Sequence, residues 1–182
     1  FNCISVNDQV VHGVPGSRVL CAGDVLKIDV TAELDGYIAD SAITVVLPPV
    51  STRANNLVQC ARSAFKRAFT VAATDLPIAE LGRAVESEVK RWGHFVIRDL
   101  CGHGVGRQLH EEPSVPNFFS PLTQGRLTEG MVIALEPIIS EQRTNLVEDD
   151  DGWTIRTTRG CLAAHYEHTI LIRGGRAEIL TA

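Results

Sequence analysis

The chain contains nothing close to about 18 uninterrupted apolar residues and no basic segment ahead of a short apolar core, so neither a membrane-spanning helix nor a secretory leader is predicted. It has no Gly-X-Y period and no heptad run, which excludes collagen-like and coiled-coil architectures. Cysteine is sparse and scattered: Cys3, Cys21, Cys60, Cys101 and Cys161 form no Cys-x-x-Cys pair. An odd, dispersed set fits neither a disulfide scaffold nor a zinc ribbon, and it points to a reducing, cytoplasmic setting. Positive charge is not in excess either, since 17 Lys+Arg face 22 Asp+Glu for a net charge of −5. Without a basic surplus to neutralise phosphates, no nucleic-acid partner is expected. What is present is the composition of an ordinary soluble protein, 45% hydrophobic and 21% charged over 182 residues. That length suits one domain whose core withdraws roughly 70% of the unfolded chain's surface.

Local patterns give an α+β reading. Val25 to Val30 and Ala42 to Leu47 read as strands, with Asp35-Gly36 as a turn between them. After Pro48-Pro49, Ser51 or Thr52 is placed to cap a helix carrying Leu57, Ala61, Ala64, Phe65, Ala68 and Ala72 on one face. A second helix follows Asp75 and Pro77, with Ile78, Leu81, Val85, Val89 and Trp92 as its stripe and Gly93 as its stop. Both stripes are expected to face the core. Strand-like runs return at Met131 to Leu135, Thr154 to Thr157 and Tyr166 to Ile172, with no low-complexity linker dividing the chain.

An internal repeat lies across these elements. Gly23-Asp24-Val25-Leu26-Lys27-Ile28-Asp29 and Gly130-Met131-Val132-Ile133-Ala134-Leu135-Glu136 share one frame: Gly, any residue, Val, three mostly apolar positions, then a carboxylate. Each copy is followed by an Asp-Gly-aromatic turn, Asp35-Gly36-Tyr37 and Asp151-Gly152-Trp153, and then by a further acid at an apolar strand, Asp40 and Glu167. The pattern predicts two similar halves facing each other, each supplying a pair of acids.

Those acids sit in surroundings that call for partners. Glu136 lies in Met131 to Ile139, where every other residue is apolar or Pro. A lone buried carboxylate there would cost several kcal/mol. Taken singly, Glu136 reads equally well as a strand-end acid reaching solvent, and Asp29, Asp40 and Glu167 read as surface acids. The segment GHGVGRQLHEEP, from Gly102 to Pro113, adds His103 among glycines that permit close backbone approach, and His110 beyond it. Four oxygen donors and one imidazole suit a pair of divalent first-row ions, because carboxylates bridge metals about 3.5–4 Å apart. Structural zinc would ask for more sulfur or nitrogen.

The set Asp29, Asp40, His103, Glu136 and Glu167 resembles the metal-ligand set of type I methionine aminopeptidases of the pita-bread fold. The resemblance extends through SVNDQVVHGVP from Ser5 to Pro15, GHGVGRQLHEEP, ALEPII from Ala134 to Ile139, DGWT from Asp151 to Thr154 and YEHT from Tyr166 to Thr169, in the family's order and over essentially the whole chain.

The resemblance implies an α+β pita-bread fold of two pseudo-symmetric halves, with antiparallel sheet and helices packed outside. It implies one catalytic domain over 1–182, shortened at its N-terminal side relative to the family. Two divalent ions of the Co, Mn, Fe, Zn or Ni kind are implied, with Asp40 and Glu167 bridging them, Asp29 completing one, and His103 with Glu136 completing the other. Glu136 would accept and shuttle the proton of the attacking water, His110 would steady the carbonyl oxygen, and His12 would contact the peptide nitrogen. Cys3 and Trp153 match positions lining the methionine side-chain pocket, although Cys3 reads equally well as a small buried hydrophobe. The implied partners are N-termini of nascent polypeptides at the ribosome, for a cytoplasmic monomer with no membrane or nucleic-acid partner.

Three positions depart from the pattern. Leu109 stands where the family usually has an aromatic, and Ala163 and His165 stand where it more often has Ser and Gln, next to the ligand Glu167. Two other functions are compatible with the same ligands: a proline-directed peptidase of the prolidase and aminopeptidase P kind, and a catalytically weak pita-bread binding module. The sequence after Glu136 and the DGWT turn favour the methionine-specific group, and retention of all five ligands with His12 and His110 disfavours a binding module.

Overall fold

The computed structural model describes residues 2–182, so the expectation tied to Phe1 lies outside the described residues. The chain runs β1 (Asn2–Val6), β2 (Gln9–Val11), β3 (Val25–Leu34), β4 (Tyr37–Val46), α1 (Thr52–Val71) and α2 (Ile78–Arg91). It continues as β5 (Phe95–Val96), β6 (Cys101–Gly104), β7 (Glu111–Pro116), β8 (Val132–Leu135), β9 (Ile138–Ser140) and β10 (Leu146–Glu148). It ends with β11 (Ile155–Thr157), β12 (Ala163–His165), β13 (Glu167–Arg173) and β14 (Arg176–Ile179).

Local chemistry explains the main boundaries. Asp35 and Gly36, with φ of 53 and 75°, form the two-residue left-handed turn that matches the twist of a tight hairpin, and it joins ten-residue arms β3 and β4. The strands are longer than the apolar runs alone predict, because cross-strand pairing carries them through Glu33 and Asp40. The Ser51 hydroxyl accepts from the Ala54 N–H at 3.1 Å and starts α1. Gly93, at φ 78°, follows the end of α2. Thr154 is outside its expected strand, since Asp151 accepts from the Trp153 and Thr154 backbone N–H groups and holds them in the turn.

The largest sheet has the order β1-β3-β4-β13-β8-β6-β7, with β14 added beside β13. Reading outward from the central β4·β13 pair, β3 then β1 on one side answers β8 then β6 on the other. The two repeated sequence frames are β3 and β8, and their second acids lie on β4 and β13. The internal repeat is therefore a structural pseudo-symmetry.

Strand alternation gives this sheet two unlike faces. Ile133 and Leu135 of β8 and Ile170 and Ile172 of β13 point to the helix layer, where they join Leu57, Ala61, Phe65, Leu81 and Val85 in one buried cluster. The opposite face carries the acids. Glu167 and Asp29 are both register partners of Ala42, and His103 is a partner of Ala134. Two small sheets, β10-β11-β2 and β12-β9-β5, are tied together over that side by Val10, Val11, Ile97, Ile138 and Ala163. No helix among the described residues is long and apolar enough to cross a membrane.

Candidate metal centre

The face away from the helices holds a cavity of about 330 Å³ lined by Asp29, Asp40, Glu136, Glu167, His12, His103, His110 and His165, with Val11, Leu100 and Ile138 as apolar wall. Each acid arrives from its own element. Asp29 lies mid-β3, Asp40 on β4, Glu136 between β8 and β9, and Glu167 opens β13. Asp40 is fixed by its neighbours: its backbone N–H donates to Thr169 Oγ1 at 2.9 Å, and Thr31 Oγ1 donates to Asp40 Oδ1 at 3.1 Å. His103 comes from β6. The glycines beside it serve the close approach expected of them: a Cβ on Gly102 would stand 2.4 Å from the Ala134 carbonyl oxygen, and one on Gly104 would stand 2.2 Å from that of Glu112.

Asp40, Glu136 and Glu167 are buried and Asp29 is half-buried, which makes the cavity a concentration of like charge. Burial, reinforced by the charges of Glu136, Asp40 and Asp29, pushes the Glu167 carboxyl well above the usual carboxylate range. Burial also raises Asp29 to about 6, with His165 opposing and Asp40 and Glu136 adding to the rise. Glu136 departs the other way: burial raises it, but contacts from His103 and His165 outweigh burial and hold it below its ordinary value. His103 Nε2 lies 3.3 Å from Glu136 Oε1, and His165 Nε2 lies 3.4 Å from Glu136 Oε2 and from Glu167 Oε2. Both imidazoles are correspondingly shifted upward, against their own burial.

Two groups of donors converge closely enough to hold cations. Asp40, His103 and Glu167 form one, Asp29, His165 and Glu167 the other, and within each the donor atoms lie within 4.8 Å of one another. Glu167 belongs to both. His103 Nδ1 lies 3.0 Å from the Gly104 carbonyl oxygen. A proton on Nδ1 would satisfy that contact and leave Nε2 bare to ligate. Buried carboxylates beside neutralisable imidazoles form an oxygen-rich, nitrogen-containing set that fits divalent first-row ions.

The remaining predicted residues surround this group. His110 is exposed at the mouth, its ring centroid 4.4 Å from that of His103. His12 lines the cavity in a left-handed backbone conformation, φ 61°, and burial lowers its pKa. Trp153 is 50% exposed and stacks on His12 at 5.2 Å between centroids, outside the cavity lining. Cys3 is buried, is the register partner of Asp29, and is likewise outside the lining; burial, then Asp29 and Asp40, push its thiol up to about 11. Leu109 is half-buried beside His110.

Several lining residues fall outside the set that the sequence predicts, His165 and Cys101 among them. His165, which in sequence reads as a substitution near a ligand, enters the cavity itself. Cys101 lines it too, and strand alternation two residues before His103 is the signal that points to it.

The sequence pattern of Metallopeptidase family M24 matches residues 1–174. The chain is 42% identical over 181 residues to Methionine aminopeptidase 2 of Bacillus subtilis, covering 98% of this chain and 73% of that one. Its structure is similar to that of methionine aminopeptidase from Thermotoga maritima, with a TM-score of 0.96, 40% identity, and coverage of 99% of this chain and 73% of that chain. A prolidase from Pyrococcus furiosus gives a TM-score of 0.81 at 25% identity, with 100% of this chain matched to 48% of that one.

Proposed function

The chain belongs to metallopeptidase family M24, and from that membership we propose that it removes the N-terminal methionine from peptides and nascent proteins whose second residue is small. Its activity is that of a methionyl aminopeptidase of the pita-bread fold. The observation that carries the reading is the convergence of Asp29, Asp40, His103, Glu136 and Glu167 on one sheet face, in a cavity reached past His12 and His110.

In this reading those five side chains would hold two divalent cations of the Co, Mn, Fe, Zn or Ni group, Asp40 and Glu167 being the carboxylates that would serve both. Such ions, when bound, supply the positive charge that acidifies water and polarises a peptide carbonyl. Glu136 accepts the proton of the attacking water and returns it to the departing amine nitrogen. His103 Nε2 and His165 Nε2 flank its two oxygens at 3.3 and 3.4 Å. His110, at the mouth, donates to the carbonyl oxygen as charge develops there. His12, held largely neutral by burial, contacts the peptide nitrogen. Cys3 and Trp153 flank the side-chain subsite through their neighbours Asp29 and His12.

Residues 1–182 act as one catalytic domain on polypeptide N-termini emerging at the ribosome, as a cytoplasmic monomer that needs no membrane or nucleic acid. The test is release of methionine from Met-Ala-Ser against cleavage of X-Pro peptides with Mn, Co or Fe present. Release from Met-Ala-Ser is expected. Cleavage of X-Pro peptides alone would turn the reading to a proline-directed peptidase, and no cleavage with any of the three metals would turn it to a binding module.

A further inference from the structure

His165 stands where the resemblance leads one to expect an amide, and nothing in the proposed activity requires an imidazole there. It is 2% exposed, the most enclosed histidine at the centre. Neither ring nitrogen has a well-formed hydrogen bond, even though the ring lines the cavity and Nε2 stands 3.4 Å from both Glu136 and Glu167. The backbone fixes the ring's position. The His165 N–H donates to Thr44 Oγ1 at 2.9 Å, Thr44 Oγ1 donates to the His165 carbonyl at 2.7 Å, and β12 pairs His165 with Ile138 of β9. A buried, rigidly held imidazole aimed into an acidic cavity, without a hydrogen-bond partner of its own, is a ligand in waiting.

The two donor groups give it a place. One has an Asp, a His and the shared Glu167, namely Asp40, His103 and Glu167; the other repeats the recipe as Asp29, His165 and Glu167. We propose that His165 is a direct metal ligand, giving the cation that Asp29 completes an imidazole to match the one that His103 gives the other cation. This rests on reading the cavity as a two-cation centre. Its chemical consequence is a centre with two nitrogen donors instead of one. Imidazole favours Co, Ni and Zn over Mn more than an amide oxygen does, so the second site shifts toward those ions.

X-ray absorption on the wild-type chain loaded with two equivalents of Co tests the proposal directly, because it counts imidazoles per ion without relying on a variant. We expect one imidazole per cobalt on average; half that number, with two ions bound, would overturn the role of His165 while leaving the two-cation reading intact. Fewer than two bound ions would overturn both. In His165→Gln the count is expected to halve, and the weaker Co equivalent is expected to bind about tenfold less tightly or worse in calorimetry, with Mn binding changed less. Unchanged Co affinity and an unchanged count in a variant with wild-type circular dichroism would also overturn it.

Discussion

Glu88 on the helix layer and Glu167 on the cavity face are both buried glutamates, and they titrate in opposite directions. Glu88 is surrounded by donors: Arg91 Nε at 3.0 Å, Trp92 Nε1 at 2.9 Å, and the Ser63 hydroxyl. Its charge is met inside the protein, and its carboxyl is held down to about 2, by Arg91 foremost. Glu167 is surrounded by other acids, and its pKa rises. The difference shows which buried charge serves the fold and which waits for something from outside. A folded chain keeps the Glu167 and Asp29 carboxyls in this cavity at a cost in stability, and in the proposed reading bound cations would offset that cost.

The comparison breaks most visibly at the cavity. Asp40→Asn is expected to abolish methionine release and to remove one metal equivalent together; a variant that still turns over would end the bridging assignment. Glu167→Gln is expected to lose activity to the same extent while raising the thermal midpoint of the metal-free chain, by about 2–4 °C for each kcal/mol of repulsion relieved. A fall in that midpoint would mean that the acid is already satisfied within the protein.

On the helix side of the same strand the signs reverse. Ile170→Ala, within the apolar cluster, is expected to cost about 2–5 kcal/mol in denaturant unfolding, with two metal equivalents retained. Glu88→Gln sharpens the contrast through pH. Because the folded pKa of Glu88 is depressed, its contribution is fully present above the unfolded value near 4.3 and is lost as pH falls through that value toward about 2. The variant is expected to be about 1–3 kcal/mol less stable at pH 7, with the gap closing as the pH approaches about 2; a constant gap across that window would contradict the assignment. The smallest effect belongs to the helix start, where Ser51→Ala is expected to cost about 0.5–2 kcal/mol without altering metal binding.

Features encoded within a few residues are legible in the sequence itself. Asp35-Gly36 marks its hairpin, Ser51 its cap and Gly93 its stop, because turn and cap chemistry is local. The repeated Gly-x-Val frame reaches further, since it implies that β3 and β8 take equivalent places on either side of β4 and β13. Long-range pairing is not legible in this way. Nothing near His165 in sequence says that β12 packs beside β4 and locks its backbone on Thr44, so a residue that reads as a neighbour of the site in fact lines it. The placement of Trp153 outside the cavity lining, stacked on His12, likewise depends on β2 meeting β11 across the chain.

In the proposed reading the acids of one sheet face form a two-cation centre held ready at the expense of metal-free stability. Calorimetric titration of the metal-free chain with Co or Mn, followed by thermal unfolding of the loaded protein, tests it most directly. Two bound equivalents and a raised midpoint are predicted. Fewer than two equivalents, or a midpoint that loading leaves unchanged, would contradict it.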